Sequence, residues 1–221
     1  MGSDRITARA FHEREGVEDW RLLYGGAYVH YLVESFSQGA QFIAAIAEIA
    51  DELDHHPTVD LRAEGVTVRT FMRETGAVGE LDVQLAQRIS VAAKAMGLRA
   101  DPARLQVVGI AVAQDAEADV LPFWSAALGY TQLRRDLSAD PQRRNPHLWF
   151  HELRPSKPGR GRLHIDVCVP ADQAEARVAE ALAAGGRLAD DSFAPQWWTL
   201  ASPENHGVDI VAHPDIEDGP Y

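Results

Sequence analysis

The spacing of apolar and polar residues predicts short strands and helices that alternate along the chain. Two short apolar and aromatic runs, residues 20–23 and 28–32, flank a glycine pair, which predicts a β-hairpin. Ser35, with Gln38 three positions later, predicts the capped start of a helix. Apolar residues then recur at helical spacing and predict one buried face, formed by Phe36, Ala40, Ile43, Ala47 and Ala50.

The hairpin-helix pattern is repeated after a proline. Residues 54–57 end the first helix, because proline disfavours helical geometry in the residue before it. Residues 58–62 and 66–72 predict a second hairpin, and residues 80–96 a second helix with a buried stripe of Leu81, Leu85, Ile89 and Ala92. The order β-β-α-β-β-α predicts an α+β domain over residues 20–100, preceded by a polar arm over residues 1–19.

A linker is expected at residues 101–102, and the second domain is expected over residues 103–215. Its predicted elements are strand 105–113, helix 116–128, strands 130–137 and 147–153, a loop at 155–162, strand 163–169, helix 171–184, and strands 196–201 and 207–212. The strand-helix-strands order therefore occurs twice, which predicts two repeated modules.

Composition and charge indicate which kinds of partner and which cellular compartment to expect. The 221 residues carry a net charge of -12, which disfavours nucleic acid and anionic membranes as general partners. No apolar stretch has the length of a membrane span, and the N-terminus lacks the apolar core of a signal peptide, so a cytoplasmic protein is expected. The single cysteine, Cys168, fits a reducing compartment, and its apolar surroundings predict a buried strand residue rather than a catalytic thiol.

The pair His55-His56 before Pro57 is the most distinctive local feature of the first half. Histidine can take up and release protons near neutral pH, so a pair held at a helix end suits acid/base chemistry. The alternative is a polar helix terminus, where cations favour the negative end of the helix dipole.

Residues 20–96 resemble the pterin-4a-carbinolamine dehydratase family, which carries an acidic residue, three intervening positions and then His-His-Pro. The resemblance implies removal of water from 4a-hydroxytetrahydropterin (4a-hydroxytetrahydrobiopterin) in pterin recycling, without a cofactor. It implies that His55 and His56 are the acid/base pair and that Asp82 orients one of them. It also implies three substrate-binding positions, namely Asp51, Pro57 and Arg73.

Two positions depart from that family. Arg73 stands where the family has a third histidine, and a guanidinium stays protonated and cannot act as a base. It could instead hydrogen-bond the pterin carbonyl. The family also has an aromatic residue in the strand after Pro57, and residues 58–63 contain none. These departures are compatible with two alternatives: a protein that catalyses the dehydration, and a protein that binds pterin without turnover.

Residues 105–213 resemble the glyoxalase-like group of the vicinal oxygen chelate superfamily through three segments, residues 122–130, 163–166 and 202–205. The resemblance implies paired βαβββ modules around a cupped sheet, with metal ligands on the first strand of each module and on the final strand. His164 and Asp209 match ligand positions, and a divalent metal is the cofactor that this domain would hold. The first-module ligand is missing, because residues 106–108 are Gln-Val-Val.

Two further features concern the same cup. Either His151 or Glu152 could supply a third ligand, because strand alternation turns only one of them inward. Three tryptophans and His151 predict an aromatic pocket for a flat organic ligand, formed by Trp149, His151, Trp197 and Trp198. The alternative places these tryptophans in the hydrophobic core, and alternation turns one of Trp197 and Trp198 inward and the other outward.

Three functions follow from these features. The first is a pterin dehydratase with an accessory glyoxalase-like domain, acting on a small pterin substrate as a homodimer. The second is a small-molecule-binding protein without turnover. The third is a metal-dependent glyoxalase or dioxygenase of the vicinal oxygen chelate type, with its metal at His164 and Asp209.

Overall fold

The computed structural model describes residues 5–73, 76–115, 117–153, 163–203 and 205–212. The chain divides into two compact units, of which the first ends at Leu105 and the second runs from Gln106 to Ala212. The loop expected at residues 155–162 lies outside the described residues. Among the described helices, none combines the length of a membrane span with the apolar composition that a span requires.

The first unit is a five-stranded antiparallel sheet with helices. Its elements are α1 (Ala8–His12), β1 (Arg21–Leu23), β2 (Gly26–Leu32), α2 (Phe36–Leu53), β3 (Thr58–Arg62), β4 (Gly65–Thr70), α3 (Glu80–Ala95) and β5 (Arg99–Ala100). The strand order is β1-β2-β4-β3, and β5 also pairs with β2. The predicted β-β-α-β-β-α order and the α+β class are confirmed.

Helix α2 begins and ends at the residues that the sequence indicates. The Ser35 hydroxyl accepts a hydrogen bond from the Gln38 N–H (3.1 Å), and the Gln38 side chain accepts one from the Glu34 N–H (2.8 Å). At the other end Asp54 adopts the left-handed conformation, with φ of 49°. The His55 N–H then donates to the Ala50 carbonyl (3.0 Å), which holds the histidine corner against the last turn of the helix.

The buried face of α2 differs from the predicted one. The helix buries Gly39, Phe42, Ile46 and Ala50, whereas Phe36 is 60% exposed and Ala40 and Ala47 are also exposed. Both rows have helical spacing, so periodicity alone could not choose between them. Gly39 lies where α2 approaches the sheet closely, since an added Cβ would meet the side chains of Leu61 on β3 and Val66 on β4, so the helix turns this row towards the strands.

Helix α3 shows a similar but smaller rotation. The predicted stripe is right at Leu85 and Ile89 and wrong at Leu81, which is 45% exposed. The fully buried residue in that turn is the neighbouring Asp82, with 0% exposure. A buried carboxylate is tolerated only where its oxygens are hydrogen-bonded, so the contacts of Asp82 set the orientation of the helix start.

The predicted N-terminal arm is wrong for the residues that the structure describes. The Thr7 hydroxyl caps α1 by accepting from the Ala10 N–H (3.1 Å), and Phe11 and Val17 are fully buried in the first unit. The indole N–H of the buried Trp20 donates to the Ser90 hydroxyl (3.0 Å) of α3. The polar residues of this segment face solvent, and its few apolar residues complete the core.

The second unit contains an eight-stranded sheet and two helices. Its elements are β6 (Val107–Gln114), α4 (Leu121–Leu128), β7 (Thr131–Arg134), β8 (Leu137–Ala139), β9 (His147–Glu152), β10 (Leu163–Val169), α5 (Ala171–Ala183), β11 (Arg187–Asp190), β12 (Trp197–Ala201) and β13 (Gly207–Ala212). The strand order is β11-β12-β13-β10-β6-β9-β8-β7. Within each module the first and last strands are parallel neighbours, and β6 and β10 join the modules antiparallel. The predicted paired βαβββ modules are confirmed.

Three boundaries in this unit differ from the prediction. Helix α4 begins at Leu121 rather than at residue 116, because Pro122 fits the first turn of a helix, where no N–H is needed. The strand expected at residues 130–137 is instead the hairpin of β7 and β8. Strand β11 was not predicted, since its sequence Arg-Leu-Ala-Asp has no clear alternation.

Both helices of the second unit pack on one face of its sheet. Helix α4 packs on Val112, Leu148 and Phe150, and α5 packs on Val169, Leu200 and Ile210. The alternate residues of the same strands form the opposite face, which we call the site face, with members that include Gly109, Ala111, Trp149, His164, Asp166, Asp209 and Thr199.

Candidate functional site

The first candidate site lies where α2 ends and α3 begins. The left-handed turn at Asp54 directs His55 towards α3, and His55 Nε2 lies 2.7 Å from Asp82 Oδ1. The His55 side chain is 14% exposed and that of Asp82 is 0% exposed. One partner is therefore buried and fixed, while the histidine keeps an edge towards solvent.

Asp82 accepts three hydrogen bonds. Its Oδ2 accepts the Gly79 N–H (2.8 Å) at the start of α3, and its Oδ1 accepts from His55 and from the Thr70 hydroxyl. The Thr70 oxygen is also 3.2 Å from His55 Nε2. The whole carboxylate is thereby satisfied inside the unit, as a buried charge requires.

The hydrogen-bond pattern assigns the proton on the His55 ring. An ionised carboxylate has no proton to give, and Thr70 donates its own to Asp82, so the shared hydrogen at His55 Nε2 must belong to the ring. A neutral imidazole protonated at Nε2 is unprotonated at Nδ1. In the neutral ring, Nδ1 of His55 is therefore the nitrogen that can accept a proton, with Asp82 on the opposite side of the ring.

His56 has a different environment from its neighbour. Its Nε2 lies 3.1 Å from Asp51 Oδ1, and these side chains are 51% and 77% exposed. Pairs this exposed contribute little to stability, because solvent and side-chain entropy compete with the contact. Pro57 follows, partly buried, at the start of β3. His56 is thus the solvent-facing member of the pair.

Arg73 is exposed, in a turn beyond the end of β4. The backbone there is closed by the bond from the Met72 N–H to the Ala77 carbonyl (2.8 Å). Within the described part of the chain, no recorded contact links Arg73 to the histidines or to Asp82. It therefore stands apart from the network that the other predicted residues form.

Thr70 is a functional candidate that the sequence reasoning missed. Along β4, Val66, Val68 and Thr70 all point inward and are 0% exposed. A hydroxyl at an inward strand position needs a hydrogen-bond partner, which was the signal available in the sequence. The partner, Asp82, lies 12 positions away and becomes a neighbour only in the fold.

The second candidate site lies on the site face, where β6, β10 and β13 run side by side. His164 Nε2 is 3.3 Å from Asp166 Oδ1 and 3.5 Å from Asp209 Oδ2. The His164, Asp166 and Asp209 side chains are 16%, 3% and 14% exposed. The structure thus brings the predicted pair His164 and Asp209 together and adds Asp166, whose signal was its alternation with His164 on one strand.

Asp166 is held by a tryptophan from the other module. The Trp149 indole N–H donates to Asp166 Oδ2 at 2.5 Å. The other oxygen, Oδ1, is buried and accepts no hydrogen bond from any residue that the structure describes. On β6 the residues opposite Asp166 and His164 are Gly109 and Ala111, neither of which can coordinate a metal. The sequence predicts no metal ligand at residues 106–108, and the positions of β6 that face the site, Gly109 and Ala111, offer none either.

The aromatic residues predicted for the pocket separate into two groups. The His151 ring lies 4.7 Å from that of Trp149 and 5.7 Å from that of His164, so it is the inward member of the His151-Glu152 pair. Trp197 shares the site face and stacks on Phe193 at 4.2 Å. The prediction that Trp198 lines the pocket is wrong, because Trp198 lies on the opposite face of the sheet and packs in the core beneath α5.

Comparisons with known proteins give separate matches for the first and the second unit. Residues 3–92 match the sequence profile described as Pterin 4 alpha carbinolamine dehydratase, and residues 107–211 match that described as a glyoxalase-like domain. A protein from Halobacterium salinarum, provisionally named a pterin-4-alpha-carbinolamine dehydratase, is 36% identical over 87 residues, which are 39% of this chain and 93% of that protein. One of the same provisional name from Mycolicibacterium smegmatis is 38% identical over 71 residues, 32% of this chain and 76% of that protein.

A solved structure described as a transcriptional coactivator/pterin dehydratase from Brucella melitensis is 26% identical, covers 40% of this chain and 98% of its own, and has a TM-score of 0.36. The Halobacterium protein is matched over nearly its whole length by the first unit alone, and a separate profile covers the second. The chain therefore belongs, through its first unit, to the pterin-4a-carbinolamine dehydratase family, and its second unit is a glyoxalase-like domain.

Proposed function

We propose that the first unit is a 4a-hydroxytetrahydropterin dehydratase in which His55 and His56 move the protons. The observation that carries this proposal is the contact of His55 Nε2 with the buried Asp82 (2.7 Å), which leaves Nδ1 as the acceptor. A base oriented by a buried carboxylate beside a second, solvent-facing histidine matches the needs of a dehydration.

The proposed reaction breaks the bond between carbon 4a and its hydroxyl. A protonated His56 gives a proton to the departing hydroxyl, which leaves as water. His55 Nδ1 accepts the proton lost from a ring nitrogen, and the quinonoid dihydropterin results. Asp82 stabilises the imidazolium that forms on His55, since the carboxylate is 2.7 Å from the opposite ring nitrogen. Proton exchange with solvent then resets both histidines, and no cofactor is consumed.

Three other residues are proposed to bind the substrate. Asp51 holds His56 at 3.1 Å and Pro57 fixes the corner that carries both histidines. Arg73 supplies a permanent positive charge for the pterin carbonyl and no base. Since Arg73 is exposed and outside the hydrogen-bonded network, we expect its effect to fall on substrate binding more than on proton transfer.

We further propose that the protein acts in the cytoplasm as a homodimer on a tetrahydrobiopterin-type substrate. The chain has one cysteine, the buried Cys168, and a single cysteine cannot form a disulfide within the chain, which suits a reducing compartment. Association is the expectation for both kinds of domain. Light scattering of the full chain tests it, with a mass near twice 24.3 kDa expected for a dimer.

The deciding experiment measures dehydration of an enzymatically generated 4a-hydroxytetrahydropterin above its spontaneous rate. Wild type should accelerate the step, and His55→Ala and His56→Ala should each lose about 10²-fold or more, the usual contribution of one acid/base group. His206→Ala, which removes an exposed histidine of the second unit, is the matched control. If the wild-type protein binds pterin but does not accelerate the dehydration, the proposal of a dehydratase is wrong and the first unit is a pterin-binding protein.

A second candidate function belongs to the glyoxalase-like unit and is a metal-dependent reaction of the vicinal oxygen chelate type. The observation that favours it is the group His164, Asp166 and Asp209, whose potential ligand atoms all lie within 4.8 Å of one another. Asp166 Oδ1, buried and without a hydrogen bond in the described residues, fits such an ion. When bound, the ion would act as a Lewis acid on a substrate oxygen.

A further inference from the structure

The ligand atoms of the second unit come from two adjacent strands of one module. His164 and Asp166 lie on β10, Asp209 lies on β13, and Asp166 and Asp209 are direct neighbours in the sheet. The implied pattern for this kind of domain draws ligands from both modules. Here the facing residues of β6 are Gly109 and Ala111, so this strand of the first module contributes none.

The two distances from His164 Nε2 to the carboxylate oxygens match those between ligands of one small cation, and all three ligand atoms lie within 4.8 Å of one another. With bonds of about 2.0–2.1 Å, two ligands of a tetrahedral ion lie about 3.4 Å apart. His164 Nε2 is 3.3 Å from Asp166 Oδ1 and 3.5 Å from Asp209 Oδ2. A carboxylate-imidazole hydrogen bond would be shorter, about 2.7–2.9 Å, so neither contact has the length of a strong one.

Charge favours a divalent ion at this position. Asp166 and Asp209 are both largely buried, at 3% and 14% side-chain exposure. Burying two carboxylates is unfavourable unless their charge is compensated. A protonated His164 would supply one positive charge between them, whereas a divalent cation supplies two and leaves the imidazole neutral, as a ligand must be.

Trp149 determines which oxygen of Asp166 is available. Its indole N–H binds Oδ2 at 2.5 Å and leaves Oδ1 directed at His164. Outer contacts of this kind orient a ligating carboxylate and hold it in one geometry. The first module therefore takes part through a hydrogen bond from β9.

We propose that the second unit binds one divalent first-row transition-metal ion, such as Zn²⁺, on His164 Nε2, Asp166 Oδ1 and Asp209 Oδ2. Asp166 takes the place of the missing first-module ligand, and Trp149 orients it. Three protein ligands leave a coordination position open for water or a substrate oxygen. The inference rests on the second candidate function and adds to it the third ligand and the confinement of the site to one module.

The test is metal binding by the full chain, stripped of metal with a chelator and titrated with Zn²⁺ by calorimetry. A host variant with His55→Ala and His56→Ala removes binding at the first site. One ion per chain is expected in this host. Asp166→Asn should weaken Zn²⁺ binding about 100-fold or more, and Trp149→Phe, which keeps the ring and removes the N–H, about 10-fold to 100-fold.

Glu152→Gln is the matched control, since it neutralises an exposed carboxylate on β9 and should bind Zn²⁺ like the host. Co²⁺ gives a second readout, because its visible absorption bands report coordination number and should change in Asp166→Asn. Circular dichroism checks that each variant is folded. If Asp166→Asn does not fold, Trp149→Phe tests the role of Asp166 in its place.

The outcomes are distinguishable. A host that binds no Zn²⁺ overturns both the second candidate function and this site. A host that binds one ion with unchanged affinity and an unchanged Co²⁺ spectrum in Asp166→Asn and in Trp149→Phe overturns the role of Asp166, while metal-dependent function through His164 and Asp209 stands.

Discussion

The hydroxyl of Thr70 and the ring of His55 share one acceptor, Oδ1 of Asp82, and also lie 3.2 Å from each other. Thr70 comes from the end of β4, His55 from the end of α2, and Asp82 from the first turn of α3. Three elements of the first unit are thereby joined at one carboxylate. The position of the proposed base depends on all three.

Thr70→Val tests the positioning role of the hydroxyl, because valine has nearly the same shape and cannot donate. We expect kcat for dehydration to fall by about 3-fold to 10-fold with KM nearly unchanged, and the free energy of unfolding to fall by about 1 kcal/mol. Steady-state kinetics over a pH series would show an altered profile, since His55 loses one of its two contacts. Thr58→Val, at an exposed position of β3, should leave kinetics and stability near wild type.

Asp82→Asn keeps the size of the side chain and removes its charge. The amide can no longer stabilise an imidazolium on His55, and it favours the other tautomer if its NH₂ faces the ring. We expect kcat to fall by about 10²-fold to 10⁴-fold, the range seen when a histidine loses its orienting carboxylate. Unchanged turnover in a variant with native circular dichroism would remove Asp82 from the mechanism.

Arg73→His restores the side chain that the family carries at this position. If the missing third histidine limits the reaction, kcat should rise by about 10-fold, which is less than the 10²-fold to 10⁴-fold that one well-positioned acid/base group contributes. Arg73→Gln separates charge from proton transfer, since it should raise KM and leave kcat unchanged. Equal kcat in wild type and Arg73→His would show that the chain does not use a third base here.

We expect His30 to make the stability of the first unit depend on pH. Burial, and next the positive charge of Arg104, lower the pKa of His30, while Asp101, Asp60 and Glu64 act weakly in the opposite direction. The unfolded chain therefore binds the proton first as the pH falls below about 6.5, the ordinary value for histidine. Stability is full above that pH and is lost as the pH falls towards the lowered pKa of the folded state.

The measurement for His30 is urea unfolding of the full chain at pH 7.5 and 5.5, followed by pulsed hydrogen exchange of peptides from β2 and β4. Wild type should lose stability at the lower pH. His30→Asn, whose side-chain amide can replace the contact of Nδ1 with Thr67 (2.8 Å), should lose less. An equal loss in both proteins would assign the pH dependence to other groups.

Much of the local structure was predictable because its causes lie close together in sequence. Ser35 and Gln38 form the start of α2, and Pro57 prevents the helix from continuing through the two histidines. The strand-helix-strands order that occurs twice indicated two repeated modules, and the resemblance to the glyoxalase-like group implied their paired βαβββ form. The contact of Asp51 with His56 spans only five positions, but it was not predicted, because it depends on the left-handed turn at Asp54.

The site was predicted in part, through the resemblance of each half to a known family. His55, His56 and Asp82 were recognisable as a pattern, and His164 and Asp209 matched ligand positions. Thr70 and Asp166 were missed, because each is a polar residue inside a strand whose hydrogen-bond partner, Asp82 or Trp149, lies 12 or 17 positions away in the chain. Their inward orientation was readable from alternation, but what they meet inside was not.

The sequence by itself determined both ends of α2, the division into two units and the histidine corner, since capping, proline geometry and alternation act over a few residues. Only the tertiary structure decided which helix face is buried, because Phe36 and Phe42 lie on rows of equal periodicity and the close approach at Gly39 selects one. It also decided that Trp197 faces the site and Trp198 the core. These outcomes depend on strand pairing and on packing between distant segments, which no local pattern encodes.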